Sequence, residues 1–229
     1  MSNEVALIEE RIKQQLAVQQ RQAAVLGGEG NYISFKNGNM KVNDTPVPKN
    51  SLQVRVLAAV RERAWYSEAY DPDTPQSPAC WALGDEDVPD ESCQDQQYGN
   101  CASCPKNKFG SAPPRPGSTK PGRGKACREG IRLVLAPAGV DMKVAILYMA
   151  KIPATSMKQI DSVLQQMNQV NQLYGDFICE LTCTEDKKSF FKVGLTIVKA
   201  EPVADRIVLL NKQDEAMQKA LQPFADFSE

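Results

Sequence analysis

Cys101-Ala-Ser-Cys104, followed by Pro105, has the spacing that lets two thiolates meet one metal ion across a tight turn. Three further cysteines stand around it, at 80, 93 and 127, and a tetrahedral site needs two of them. Cys80 and Cys127 give C-x20-C-x2-C-x22-C and stand at the two ends of the segment, where an ion would close it; the rival set takes Cys93 in place of Cys80. An all-thiolate shell leaves no position for a reactive water. The expected ion is therefore structural zinc, which supplies roughly 10 kcal/mol or more of folding free energy in small modules. A redox CxxC pair belongs at a strand-to-helix junction of a βαβ unit, and no such pattern surrounds Cys101. Cys179 and Cys183, four apart on a strand pattern, point to one face and read as buried thiols.

The segment that holds the cysteines also separates charge. The formal net charge of the chain is -1, yet residues 68–95 carry acids and no base, whereas residues 106–132 carry Lys106, Lys108, Arg115, Lys120, Arg123, Lys125, Arg128 and Arg132 against Glu129 alone. A basic run rich in glycine and proline suits an arm that tracks phosphates and releases their counterions; the bland alternative is that the two halves neutralise each other across the metal. Gly122 to Ala126 is not a phosphate-cradling P-loop, because Thr119 stands where the upstream glycine belongs and no Ser or Thr follows Lys125. Aromatic residues accompany the bases. Trp65 and Tyr66 follow Arg61 and Arg63, and Phe109 follows Lys108; such rings stack nucleobases at about 1–3 kcal/mol per base. The expected nucleic-acid contacts are thus Trp65, Tyr66, Lys106, Lys108, Phe109, Arg115, Lys120, Arg123, Lys125, Arg128 and Arg132, while Phe35 and Phe191 read equally well as core.

Catalysis has little to work with. The chain has 7 cysteines and no histidine, which removes the commonest general base and the histidine-dependent nucleophile pairs. Asp71, Asp73, Asp85 and Asp87 could bind magnesium in a nuclease, but acids in a proline-rich loop are ordinarily just solvated.

The elements that must position these residues follow from periodicity. Residues 4–26 place Val5, Ile8, Ile12 and Leu16 on one helical stripe, ahead of Gly27 and Gly28, and so predict an amphipathic helix over 1–28 that could serve homo-oligomerisation. From Tyr32 the pattern alternates: a hairpin turns at Asn37-Gly38-Asn39, and a long strand sets Leu52, Val54, Val56 and Ala58 against Gln53, Arg55 and Leu57. IRLVLAP and KVAILYMAKI read as two more strands. A helix comes next, capped by Thr155 or Ser156, with Ile160, Val163, Leu164, Met167, Val170 and Leu173 as its stripe and Gly175 as its stop. FICELTCT and SFFKVGLTIVKAEPV form a final pair around Glu185-Asp186-Lys187. This order predicts a mainly β (α+β) chain: an OB-like five-stranded barrel over 30–205, with a zinc-stabilised loop inserted at about 67–130. Residues 206–229 would add a helix around Gln213 to Leu221 and a short acidic tail containing Phe224 and Phe227, a place for replication or recombination proteins to dock. No apolar run reaches the roughly 18 residues of a membrane span, and the N-terminus lacks the pattern of a secretory signal. A cytoplasmic protein without membrane contact is expected.

Pro78-Ala79-Cys80, CASCPKNKFGSA (101–112) and GRGKAC (122–127) resemble the cysteine signature of a group of bacteriophage zinc-containing proteins associated with single-stranded-DNA binding, and the likeness runs from about Ile33 to Val198. The resemblance implies Cys80, Cys101, Cys104 and Cys127 as zinc ligands, leaves Cys93 without a counterpart, and implies sequence-independent binding of single-stranded DNA in replication or recombination, in the cytoplasm of the host cell. The combination of barrel and zinc module is similar to the zinc-containing single-strand-binding protein of T-even phages, whose site includes a histidine. A zinc-bearing protein-interaction or transcription-modulating factor is the alternative, and a metal-dependent nuclease the third.

Overall fold

The computed structural model describes residues 31–36, 38–68, 76–114, 119–120, 122–187 and 189–224. The expected N-terminal helix, Tyr70, Asp71, Asp73, Arg115 and the last five residues lie outside the described residues. Among those described, nine strands form one curled, half-barrel sheet, mainly β with two α-helices. The strands are β1 (Tyr32–Lys36), β2 (Asn39–Val42), β3 (Thr45–Pro46), β4 (Ser51–Trp65), β5 (Cys80–Leu83), β6 (Arg128–Pro137), β7 (Tyr148–Pro153), β8 (Phe177–Asp186) and β9 (Phe190–Ala200). The helices are α1 (Ala154–Gln169), between β7 and β8, and α2 (Arg206–Ala220), after β9. The spatial order is β3-β2-β1-β7-β6-β4-β8-β9, with β5 paired to the end of β4; every pairing is antiparallel except β1 on β7.

β4 organises the sheet. It is 15 residues long, pairs with β8 through its first residues, with β6 along most of its length, and with β5 through its last. A bulge between Val56 and Ala58 breaks its alternation. The unbroken pattern read from the sequence would put Ala58 on the face of Val54 and Val56; the extra residue turns Ala58 and Val60, with Leu57, to the opposite face. Two cores result. Val54 and Val56 join Ile131, Leu133, Leu135, Ile152, Cys179, Leu181 and Cys183 beneath α1. Leu57, Ala58 and Val60 join Val134 and Ala136 beneath α2 and residues 138–147. Cys179 and Cys183 are buried core thiols, and burial pushes Cys179 up to about 12.

Several boundaries differ from the sequence reading for local reasons. α1 starts after Pro153 without a side-chain cap, and Ser156 lies inside it, where its Oγ accepts from the Val193 amide at 2.9 Å. Asn171 ends the helix in the left-handed region (φ 53), and Val170, expected on the apolar stripe, is exposed. Gly175 is a packing glycine: a Cβ there would meet Leu209 at 2.5 Å and Leu57 at 3.0 Å. The strand expected from Lys143 starts only at Tyr148, because Met142, Ala145 and Leu147 cover the second core as a loop. α2 starts seven residues earlier than its expected first residue, Gln213, and is bound into the domain through Leu209, Ala216 and Ala220.

Buried charge ties the connecting segments to the sheet. Arg55, 6% exposed, donates to the carbonyls of Gly175 and Glu201, both at 2.8 Å, and pairs with the Glu201 carboxylate at 2.7 Å. Asp176, 1% exposed, accepts from Arg206 Nη2 at 3.0 Å and from the amides of Val203 and Leu173. Burial works against its ionisation, but the Arg206 hydrogen bond and charge and the two amides outweigh it and hold the carboxyl below the ordinary range. A depressed native pKa contributes stability above the unfolded-state value of about 3.9, lost as pH falls through the native value. Asp176→Asn is therefore expected to lose about 1–3 kcal/mol at pH 7. Urea unfolding at pH 7 and pH 3 should show that deficit shrinking in acid.

Candidate metal centre and nucleic-acid interface

The loop between β4 and β6 leaves the sheet at Trp65 and returns at Arg128, and its described residues are tied by backbone hydrogen bonds. Its first return is β5, whose Cys80, Trp81, Ala82 and Leu83 pair with Trp65, Ala64, Arg63 and Glu62. The amides of Asp95 and Cys101 then donate to the carbonyls of Ala79 (2.9 Å) and Asp87 (2.7 Å), drawing the acidic stretch onto the sheet end. A 3-10 turn at Pro105–Asn107 succeeds the CxxC knuckle, and the chain comes back beside itself: Gly110 and Ala112 donate to Gly124, Gly122 donates to Ala112, and Cys127 donates to the Lys106 carbonyl at 2.8 Å. The two arms approach so closely that a Cβ on Gly122 would sit 2.9 Å from that of Ala112, and Gly110 takes φ +88. NKFGSA and GRGKAC thus lie side by side, with Gly122 at the close approach and Gly110 at the left-handed turn.

This folding gathers the thiols. Cys80, Cys101, Cys104 and Cys127 line one pocket at the end of β4 with Arg63, Trp65, Trp81 and Asn107, although they are far apart in the chain. Cys93 does not line it. Its Sγ accepts from the Trp81 amide (3.1 Å) and donates to the Trp81 carbonyl (3.3 Å), clipping residues 90–95 to β5. Burial pushes the Cys127 thiol up to about 12, reinforced by the thiols of Cys101, Cys80 and Cys104; Cys101 is raised by burial, with Arg63 pulling the other way. Burial likewise takes Cys93 up to about 11, the Trp81 amide opposing and Cys80 reinforcing.

Among the described residues no group of three or more cysteine or acidic side chains stands at the geometry of a formed metal site. The donor chemistry nevertheless fits a soft divalent ion: four thiols converge where no disulfide is formed, on an apolar floor. Asn107, which also lines this pocket, has a buried Oδ1 without a hydrogen-bond partner, while its Nδ2 donates to the Cys101 carbonyl at 2.9 Å.

Around the pocket, cations lie on rings. Lys106 Nζ stands 4.9 Å from the centre of Trp65, Lys125 Nζ 5.4 Å from that of Phe109, and the Arg128 guanidinium 5.4 Å from that of Tyr66. Phe109 is 81% exposed. Lys108, Lys120, Arg123 and Arg128 are exposed, and Lys106 and Lys125 half-buried, the latter paired with Glu129 at 2.9 Å. Trp81 is buried in the pocket wall and Phe35 in the core, while Phe191 packs partly against that core.

Arg132 is the correction to the basic set. It is 2% exposed, paired with Glu62, and donates to the carbonyls of Ala220 (3.1 Å) and Gln222, so its charge is satisfied inside the protein and is not offered to phosphate. Its position on an alternating strand hid this, because the outer face of β6 is covered by α2 and the segment after it. Phe224 completes that cover, edge-on to Trp81 at 5.5 Å with Arg132 and Lys151 4.6 and 4.7 Å from its centre. Arg63, which the sequence marks only as a base ahead of Trp65 and Tyr66, pairs with Asp87 and Glu129 beside the thiols, and nothing in the sequence spacing marks Asn107 or Lys151.

No protein-family model, no curated protein and no solved structure matches the chain. Among the described residues, no helix is long and apolar enough to cross a membrane.

The two kinds of arginine separate by measurement. Arg132→Ala leaves Glu62, a side chain 15% exposed, with Lys151 at 3.5 Å in place of its closer partner and takes the donor from the Ala220 and Gln222 carbonyls, and should cost about 3 kcal/mol in urea unfolding. Arg123→Ala, on the open face of the loop, should change stability by less than about 0.5 kcal/mol.

Proposed function

We propose that this chain is a single-stranded-DNA-binding protein of the bacteriophage type, without catalytic activity, in which zinc held by Cys80, Cys101, Cys104 and Cys127 fixes the loop that carries the binding surface. The observation that carries the reading is the set of rings overlaid by cations around one cysteine pocket: Trp65 with Lys106, Phe109 with Lys125, and Tyr66 with Arg128. Rings accept any base, and cations beside them meet the backbone, which gives affinity without sequence preference. The exposed Lys108, Lys120 and Arg123 extend the track.

The connectivity supports an OB-like reading of the barrel. β4, β6, β7, α1, β8 and β9 keep the order of that Greek key, with the helix between its third and fourth strands and the zinc loop between its first and second, a place from which OB domains contact oligonucleotides. Two departures matter. β1 lies parallel on β7 where the closing strand would pair. The outer face of β4 and β6, part of the surface such domains often use, is covered by α2 and residues 138–147. Binding is therefore assigned to the loop. Zinc bound by four thiolates supplies folding free energy and no reactive water. Asp87 is paired with Arg63, which leaves the nuclease reading weaker.

A role in replication or recombination in the host cytoplasm, protein partners at the C-terminal tail and self-association through the N-terminal helix are part of the same proposal. The alternative, a zinc-bearing protein-interaction or transcription-modulating factor, is favoured by one observation: Ile207, Leu210, Met217 and Leu221 stand exposed along and just after α2.

Fluorescence anisotropy across a salt series should show binding to labelled single strands that weakens as salt rises, with duplex bound less well; no binding at low salt removes the reading. Phe109→Ala should weaken it about tenfold. Metal analysis of Cys101→Ser and Cys104→Ser should show bound zinc lost, and unchanged zinc content would refute the ligand set.

A further inference from the structure

The hairpin between β8 and β9 ends on a residue that the fold does not use. Phe190 is 88% exposed, the highest value among the exposed large apolar residues described, and its φ is +66. The left-handed region sets Cβ against the following carbonyl, which glycine escapes and a bulky residue does not. The turn imposes that conformation: the Ser189 amide and hydroxyl both donate to Asp186 Oδ2, at 2.8 and 2.7 Å, and Lys192 holds the other carboxylate oxygen at 3.1 Å. The next ring, Phe191, packs against the core. One of two adjacent phenylalanines is thus used for folding, while the other is held outward at a cost in both backbone conformation and hydration. Strain retained with no return in stability is the mark of a functional position.

We propose that Phe190 is a second stacking platform for a nucleobase of the bound strand, with the exposed Lys187 in the same turn to meet phosphate. The proposal rests on the single-strand reading above. Register fixes where this platform lies. Ser51 pairs with Thr182, so the hairpin tip lies beyond the N-terminal end of β4, whereas the cysteine loop leaves from Trp65 at its C-terminal end. Those ends are roughly 45 Å apart along a straight strand and less along a curled one. A base on Phe190 therefore belongs to a different part of the strand from one on Phe109, and only a long strand reaches both.

Phe190→Gly and Phe190→Trp test this against oligothymidylates of about 4 and about 16 nucleotides, the range of OB-domain site sizes. Relief of the left-handed strain should raise the unfolding midpoint of Phe190→Gly by about 2–4 °C. The same variant should bind the long strand about tenfold more weakly and the short strand as wild type does. Phe190→Trp should keep wild-type affinity for the long strand and change its emission on binding by more than wild type does. Unaltered long-strand affinity in Phe190→Gly overturns the proposal, as does a lowered midpoint, which would assign the ring to the fold. Wild-type protein that binds neither length removes the single-strand reading itself, a result distinct from both.

Discussion

A β-strand has two edges and two faces, and β4 fills all four over its 15 residues. One edge runs along β6; the other is taken by β8 at the start and by β5 at the end. The bulge at Val56 and Ala58 lets a single strand face one core through Val54 and Val56 and the second core through Leu57, Ala58 and Val60. Remove that bulge and Ala58 and Val60 turn away from Val134 and α2, leaving the helix without its floor. The cysteine loop depends on the same strand, because Trp65, Ala64 and Arg63 are the template on which Cys80 and Trp81 are laid.

Buried charge then locks the segments that the sheet positions. Arg55 and Asp176 gather the segments before β8 and after β9, and Arg132 gathers the end of α2. Each of these groups satisfies carbonyls or amides that the chain cannot pair within a helix or strand, so each connects the end of an element or a connecting segment to the core. The arrangement is demanding: a buried arginine is stabilising only while its partners stay in place.

This division of cations sets the charge that reaches the surface. Arg63 and Arg132 are committed to Asp87, Glu129 and Glu62, next to the pocket, while Lys106, Lys125 and Arg128 rest on rings at its rim and Lys108 and Arg123 reach solvent. Asp87 of the acidic half pairs with Arg63 of β4, and Lys125 of the basic half pairs with Glu129 of the same half. Lys125 thus belongs to both sets, while Lys106 and Arg128 at the rim stand outside those two pairs.

The sequence by itself determined most of the strands, the buried stripe of α1, the core placement of Cys179 and Cys183, and the grouping of cysteine with positive charge. Alternation and helical periodicity are local, which is why they can be read without the tertiary structure. Only the tertiary structure decided which face a residue takes after a bulge, because one inserted residue reverses the alternation without changing its appearance: Ala58 is the case in point. It also decided that Arg132 is buried while Arg128, four residues earlier on the same strand, is exposed; that depends on α2 and Phe224, which lie about ninety residues further along the chain. Cys80 and Cys93 differ for the same reason. Spacing admits either beside Cys101, Cys104 and Cys127, and it is the pairing of β5 with β4 that places Cys80 in the pocket and leaves Cys93 bound to the backbone of Trp81.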